Sequence, residues 1–175
     1  KEYRRQRQMC IRDSFKHFPT KSGLLAATID HLFAGLLEDF EAAHEALPEE
    51  DRNVEGALDL LWEQMLNPGL AVAYELYAAA RTDSSLRADL EPIVTAHIDH
   101  ISALTATVLG EAGVSPTDLE RSLRMVSLTI CAIQGMLLNQ MARPSKVEMD
   151  GIALTIRELV PGALAQPSTG APLPT

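Results

Sequence analysis

The sequence predicts an all-α protein, and three observations carry that prediction. Apolar residues recur at three- and four-residue spacing over long stretches. β-Branched residues never alternate with polar ones over strand lengths, and most of the ten prolines and ten glycines fall between the periodic stretches or in the C-terminal tail. With 175 residues, 46% of them hydrophobic and 22% charged, the chain is long enough to bury one sizeable core, so one main domain is expected.

The elements follow in order. Thr20 is a suitable N-cap for a first long helix, whose apolar set (Leu24, Leu25, Ala27, Ile29, Leu32, Phe33, Leu36, Leu37, Phe40) keeps helical period to about Ala46, before Pro48 stops it. At ~1.5 Å per residue this helix spans about 37 Å. The next helix opens on the acids Glu49, Glu50 and Asp51, presents Val54, Leu58, Leu61, Trp62 and Met65 on one face, and ends at Asn67-Pro68-Gly69. A shorter helix to about Arg81 carries Leu70, Ala73, Tyr74, Leu76, Tyr77 and Ala80. Asp83 then caps a helix from about Ser84 to Leu109, in which Pro92 predicts a bend or a start near Leu90. Ser115-Pro116-Thr117-Asp118 is a strong helix start, with a capping serine and proline at the first helical position. The helix it opens reaches about Met141 and is apolar over more than one face, so it must be covered on two sides. A last helix is expected from Lys146 to about Leu159, closed by Pro161 and Gly162. Residues 163–175, with three prolines and no charge, read as a disordered tail.

Charge is unevenly distributed. The formal net charge is −9, yet residues 1–21 hold seven Lys/Arg against two acids, which leaves eight bases and twenty-two acids in the remainder. A body at −14 repels phosphate, so any nucleic-acid contact has to come from the N-terminal end. Cys10 and Cys131 have no partner at metal-binding spacing, which fits a reduced, cytoplasmic protein. No uninterrupted apolar run reaches the roughly 18 residues of a membrane span, and no signal-peptide pattern is present, so no membrane partner is expected.

Residues 1–14 build no amphipathic face and read as a non-native or disordered segment, with roughly residues 8–13 foreign to the domain. The stretch that follows, Phe15-Lys16-His17-Phe18-Pro19-Thr20-Lys21 leading into Ser22-Gly23-Leu24-Leu25, places two lysines and a histidine before a helix N-terminus, where charge, imidazole and backbone amides can engage adjacent phosphates. Its aromatic-x-His-Phe-x-x-Lys-x-x-Leu spacing resembles the junction in TetR-family regulators at which the recognition helix ends and the ligand-binding domain begins. The resemblance implies that His17 and Lys21 hold the DNA backbone, with Lys16 a weaker contact, and that Phe15 and Phe18 pack the head against the first long helix. It also implies that residues 15–21 are the remnant of a DNA-binding head whose base-reading part lies upstream, and that residues 22–162 form the ligand-binding and dimerisation domain.

Trp62, Met65, Tyr74 and Tyr77 are bulky groups with polar or polarisable handles on successive helices. With Cys131, Gln134 and Asn139 of the most apolar helix, and with His97, they suit a pocket for a small apolar or aromatic ligand. His97 and His100 stand at i and i+3, but no second cluster offers a further ligand, so neither a metal nor a cofactor is expected. Apolar positions beyond those one chain can cover, with Gly135 to let a second backbone approach, suggest a homodimer seam through Leu123, Ile130, Gly135, Leu138, Leu154 and Leu159. TetR-family dimers are similarly made from the last two long helices, packed with the partner's as a four-helix bundle. Nucleophile elbows, phosphate loops, zinc-protease motifs and paired carboxylates with a nearby base are absent, so no enzyme is expected. The reading is a ligand-responsive regulator of the TetR type, a repressor in the family's usual logic, whose intact parent binds operator DNA. The alternative is a stand-alone α-helical ligand-binding or adaptor protein that does not touch DNA.

Overall fold

A computed structural model describes residues 18–111 and 113–165, and among them the regular structure is entirely helical. Six α-helices follow one another: α1 Lys21–Ala46, α2 Val54–Met65, α3 Pro68–Ala80, α4 Ser84–Glu111, α5 Pro116–Ala142 and α6 Lys146–Ala165, with one 3₁₀ turn at Glu49–Asp51. The expectations for residues 1–14, Phe15, Lys16, His17 and the tail beyond residue 165 lie outside the described residues.

Local chemistry sets most of the boundaries. Thr20 Oγ1 accepts from the Gly23 amide at 3.0 Å, satisfying one of the unpaired donors at the start of α1. Asn53 does the same for α2 through Gly56, and Asn67 for α3 through Gly69. Asp83 Oδ1 caps α4 by accepting from both Ser85 and Leu86 at 3.0 Å. Ser115 departs from expectation: its hydroxyl is turned to the Asp118 carboxylate at 2.6 Å and makes no side-chain cap to the backbone. Glu49, Glu50 and Asp51 form a separate 3₁₀ turn rather than the first turn of α2, because Arg52 donates to the carbonyls of Leu47 (3.0 Å) and Glu45 (2.5 Å) and holds the chain against the end of α1. Gly56 is required where that turn meets α2, since a Cβ there would lie 2.1 Å from the Asp51 carbonyl oxygen.

Pro92, expected at a bend or near a helix start, lies inside α4, which begins at Ser84, and Pro161, expected to end a helix, lies inside α6. Pro92 is exposed within α4, so the donor it lacks is lost on the solvent side, where water can serve the Ala88 carbonyl. Pro161 lies within α6, which continues to Ala165 instead of ending near Leu159. Val160, 4% exposed, is buried with Leu58 of α2 and Leu109 of α4, and Arg121 donates to the Ala163 carbonyl at 2.7 Å. These contacts hold the last turn beyond the proline.

The longest packing interface runs between α1 and α4, with α2 and α3 laid beside that pair and α5 and α6 packed on each other. The main core joins Ile29, Phe33 and Leu36 of α1 to Ala73 of α3, Leu86 and Leu90 of α4, and Ile133 and Met136 of α5. Fully burying one such aliphatic side chain contributes about 1.5–3 kcal/mol. Two helices, Ser84–Glu111 and a window of α5 from Asp118 to Ala142, are long and apolar enough to cross a membrane by length and composition alone. A count of uninterrupted apolar runs misses them because charged residues punctuate both. Their apolar sides contribute to the core of this bundle.

Candidate functional site

α1, α2, α3, α4 and α5, with one residue of α6, border a cavity of about 440 Å³ that is partly open to solvent. Its volume falls in the lower part of the roughly 300–1,000 Å³ range of small-molecule sites. Each helix contributes residues at turn spacing: Phe33, Leu36, Leu37 and Phe40 from α1, Leu58, Leu61 and Met65 from α2, and Leu70, Tyr74 and Tyr77 from α3. Val94, His97 and Ile101 from α4, Val126, Ile130 and Gln134 from α5, and Val160 from α6 add to the wall. None of the lining side chains among the described residues is an Asp, Glu, Lys or Arg.

Of the residues singled out in the sequence for a pocket, Met65, Tyr74, Tyr77, His97, Cys131 and Gln134 line this one cavity. Trp62 does not. The lining face of α2 runs through Leu58, Leu61 and Met65, and Trp62 sits beside it, half-buried against the main core. Asn139 is exposed and likewise outside the lining. Ile130, expected at a dimer seam, faces inward and lines the cavity. Phe33 and Phe40 of α1 belong to the wall but were not singled out, since in the sequence they are ordinary members of an apolar stripe. The one available signal was their alignment, seven residues apart, on the face that also carries Leu36 and Leu37.

Polar groups in the wall divide into satisfied and unsatisfied ones. Gln64 Nε2 donates to the Leu36 carbonyl at 2.6 Å, while the Ser102 and Ser127 hydroxyls each donate at 2.9 Å to carbonyls of their own helices, Ile98 and Leu123. The Tyr74 hydroxyl and His97 Nδ1 are buried and have no hydrogen-bond partner. The His97 ring stacks on Phe33 with centroids 3.8 Å apart and 9° between planes, which fixes the imidazole while leaving its nitrogen unpaired. Burial, reinforced by the charge of His100, pushes the His97 pKa down to about 4, so the ring is neutral at pH 7. Burial pushes the Tyr77 phenol up to about 12, with Tyr74 adding to the effect. Burial also raises Tyr74, opposed more weakly by the Gln134 amide, which comes close without reaching hydrogen-bonding geometry.

A second hollow, of about 530 Å³, is an open groove on the other side of Leu37, Leu104 and Val108. It is bordered by Glu41, Glu45, Arg52, His100 and Glu111, and His44 is buried at its floor. His97 and His100 therefore face different hollows and do not converge. Among the described residues no group of three or more His, Cys, Asp or Glu side chains could hold a metal ion.

The outer surface of α5 and α6 carries an apolar stripe. Leu128 (63% exposed), Leu138 (49%) and Met141 (50%) on α5 stand near Val147 (85%), Leu154 (57%) and Leu159 (64%) on α6. Leu128, Cys131, Gly135 and Leu138 follow one another at spacings of three, four and three, the pattern of a helix–helix seam. Gly135 is exposed, and nothing lies within 4 Å of where its Cβ would be. Leu123, half-buried, and the inward-facing Ile130 are not part of the stripe. At the far end of the bundle Lys21 is exposed in the first turn of α1, and Ser22 Oγ meets Ser85 Oγ at 3.2 Å, joining the starts of α1 and α4.

Residues 48–166, more than half of the chain, match the family described as Tetracyclin repressor-like, C-terminal domain. The chain belongs to the TetR family of transcriptional regulators. A similar protein is the HTH-type transcriptional regulator CymR of Pseudomonas putida, 30% identical over 110 residues, which cover 63% of this chain and 54% of that protein. The chain thus spans about half the length of this curated relative. No solved structure gives a match. In this TetR-family chain the matched region takes in α2 to α6 and hence most of the cavity wall and the whole exposed stripe. α1, which supplies the remaining wall, lies before it.

Proposed function

We propose that this chain is the effector-binding and dimerisation part of a cytoplasmic TetR-type repressor, in which a small apolar or aromatic ligand enters the cavity and releases operator DNA. The observation that carries the reading is the mainly apolar cavity between the helices of a TetR C-terminal domain, with buried tyrosine and histidine atoms left unpaired. Unpaired polar atoms are an expense that a folded core avoids unless something else completes them. The protein pairs with a second copy through the α5/α6 stripe. Exposed Leu138, Leu154 and Leu159, with the open Gly135, support that face among the described residues.

Lys16, His17 and Lys21 would contact the DNA backbone, and of these Lys21 sits exposed at the start of α1. α1 then connects that end to the cavity through Phe33, Leu36, Leu37 and Phe40. A ligand can move such a system only by binding one dimer state more tightly than the other. The role is regulatory rather than enzymatic.

The test has two parts. Thermal melting of the purified chain against a panel of aromatic and aliphatic compounds should yield hits that raise the midpoint, because a ligand favouring the folded form stabilises it. Mobility shift of the full-length regulator on its upstream DNA should then show release by the same hits. A panel without hits, or hits that leave the DNA complex intact, would refute the repressor reading.

A further inference from the structure

We infer that the ligand is an uncharged molecule of one or two rings whose hydroxyl or carbonyl group is held by the Tyr74 hydroxyl. The inference rests on the proposal that the cavity is the effector site. Three features of the wall lead to it.

Countercharge is missing. No Asp, Glu, Lys or Arg lines the cavity among the described residues. A carboxylate moved from water into such surroundings loses its hydration and gains no cation in return, and an ammonium group gains no anion. Neither His97 nor Tyr77 carries charge near pH 7, since burial holds His97 neutral and Tyr77 protonated. The excess of acids over the rest of the domain further disfavours an anionic ligand. Aromatic faces could in principle hold a cation, yet one face of Phe33 is covered by His97 at 3.8 Å.

Hydrogen-bonding capacity is narrow as well. Gln64, Ser102 and Ser127 each donate one hydrogen bond to a helix carbonyl. Tyr74, 8% exposed, keeps its hydroxyl buried and unpaired beside Gln134, and His97 keeps Nδ1 unpaired. A few hydrogen-bonding groups in a mainly apolar wall, of which the Tyr74 hydroxyl and His97 Nδ1 are the buried and unpaired atoms, match a ligand with one polar head on an apolar body. The volume of about 440 Å³ accommodates a body of one or two rings.

Isothermal titration of the chain at pH 7.5 with three probes of the same shape, 2-naphthol, 2-naphthoate and 2-naphthylmethylammonium, decides the matter. 2-Naphthol is expected to bind at least about tenfold more tightly than either charged probe. Tyr74→Phe should weaken 2-naphthol roughly 3- to 10-fold, the usual net worth of one hydrogen bond. A charged probe that binds as tightly as 2-naphthol would overturn the inference and leave the cavity as effector site standing. Unchanged affinity in Tyr74→Phe would overturn the role of the tyrosine. If no probe binds and the thermal panel is also without hits, the effector-site proposal falls and this inference with it.

Discussion

Tyr74→Phe should make the ligand-free protein more stable. The side chain is 8% exposed, its ring packs in the main core, and the hydroxyl is buried with no hydrogen-bond partner. A buried hydroxyl without a partner costs about 1–3 kcal/mol by protein mutational data. The approach of Gln134 offsets part of that, so removing the oxygen is expected to raise unfolding free energy by about 1–2 kcal/mol, once the small void it leaves is counted. For a domain of this size each kcal/mol moves the melting midpoint by about 2–4 °C, which puts the variant roughly 2–8 °C above the parent. Urea unfolding followed by circular dichroism would read the change directly, with an unchanged slope as the sign that compactness is unaltered. A variant less stable than the parent by 1 kcal/mol or more, on the scale of the net worth of one hydrogen bond, would refute the reasoning, because it would mean the hydroxyl is satisfied in the empty protein. The same oxygen that weakens the fold is the one assigned to the ligand, so stability and binding should move in opposite directions.

Three further outcomes follow from the structure. Leu138→Asp combined with Leu154→Asp changes two side chains that are about half exposed, so the helical circular dichroism should persist while sedimentation falls from twice the 19.1 kDa chain mass to a single chain; a dimer surviving both changes would place the seam elsewhere. Gly56→Ala forces a methyl group to within 2.1 Å of the Asp51 carbonyl oxygen and should destabilise by about 1–3 kcal/mol in urea unfolding; a neutral result would show that the 3₁₀ turn yields freely. His97 is held down to about 4 in the folded protein against an ordinary 6.5, so the unfolded chain binds its proton first as pH falls. Stability should therefore decline from pH 6.5 toward pH 4 by about 1–2 kcal/mol after allowance for partial exposure. That decline should be missing from His97→Gln, and equal pH profiles for parent and variant would contradict it.

Helix starts were the most legible part of the chain, because a cap is a local transaction: Thr20 and Asp83 meet backbone amides two or three residues away, and the residue types announce it. Helix ends were less so. Pro161 should stop a helix on local grounds, yet Val160 is drawn into the cluster with Leu58 and Leu109, and that contact is made with residues more than fifty positions distant. Membership of the cavity wall was legible in part: Met65, Tyr74, Tyr77, His97, Cys131 and Gln134 line it, and Trp62 does not. Periodicity says which side chains share a face of α2, and Leu61, Trp62 and Met65 all fall near it. Which of them looks into a void and which into packed neighbours depends on where α3, α4 and α5 cross, and no spacing along one helix carries that information.

Two helices in the proposed regulator have a double duty that makes coupling a matter of geometry rather than of a long relay. α5 turns Val126, Ile130 and Gln134 into the cavity and Leu128, Gly135 and Leu138 to the outside, so one helix forms both a wall of the proposed ligand site and part of the proposed dimer seam. Cys131 lies on both, lining the cavity and standing exposed in the stripe. α1 turns Phe33, Leu36, Leu37 and Phe40 into the same cavity and carries Lys21 at its outer end. In the proposed dimer, a ligand that pushed these walls apart would change the angle between α1 and α5, and with it the placement of the α1 start relative to the partner's. Packed helices resist continuous deformation, so a sub-ångström change at the wall is expressed as a choice between two packings. The position most sensitive to that choice is Gly135, where the partner's backbone approaches in the proposed dimer. Gly135→Leu in the full-length regulator should therefore weaken the ligand's effect on DNA binding while leaving its affinity for the isolated chain unchanged. If titration on the chain and release from DNA instead fall together, the seam is not the element through which the cavity acts.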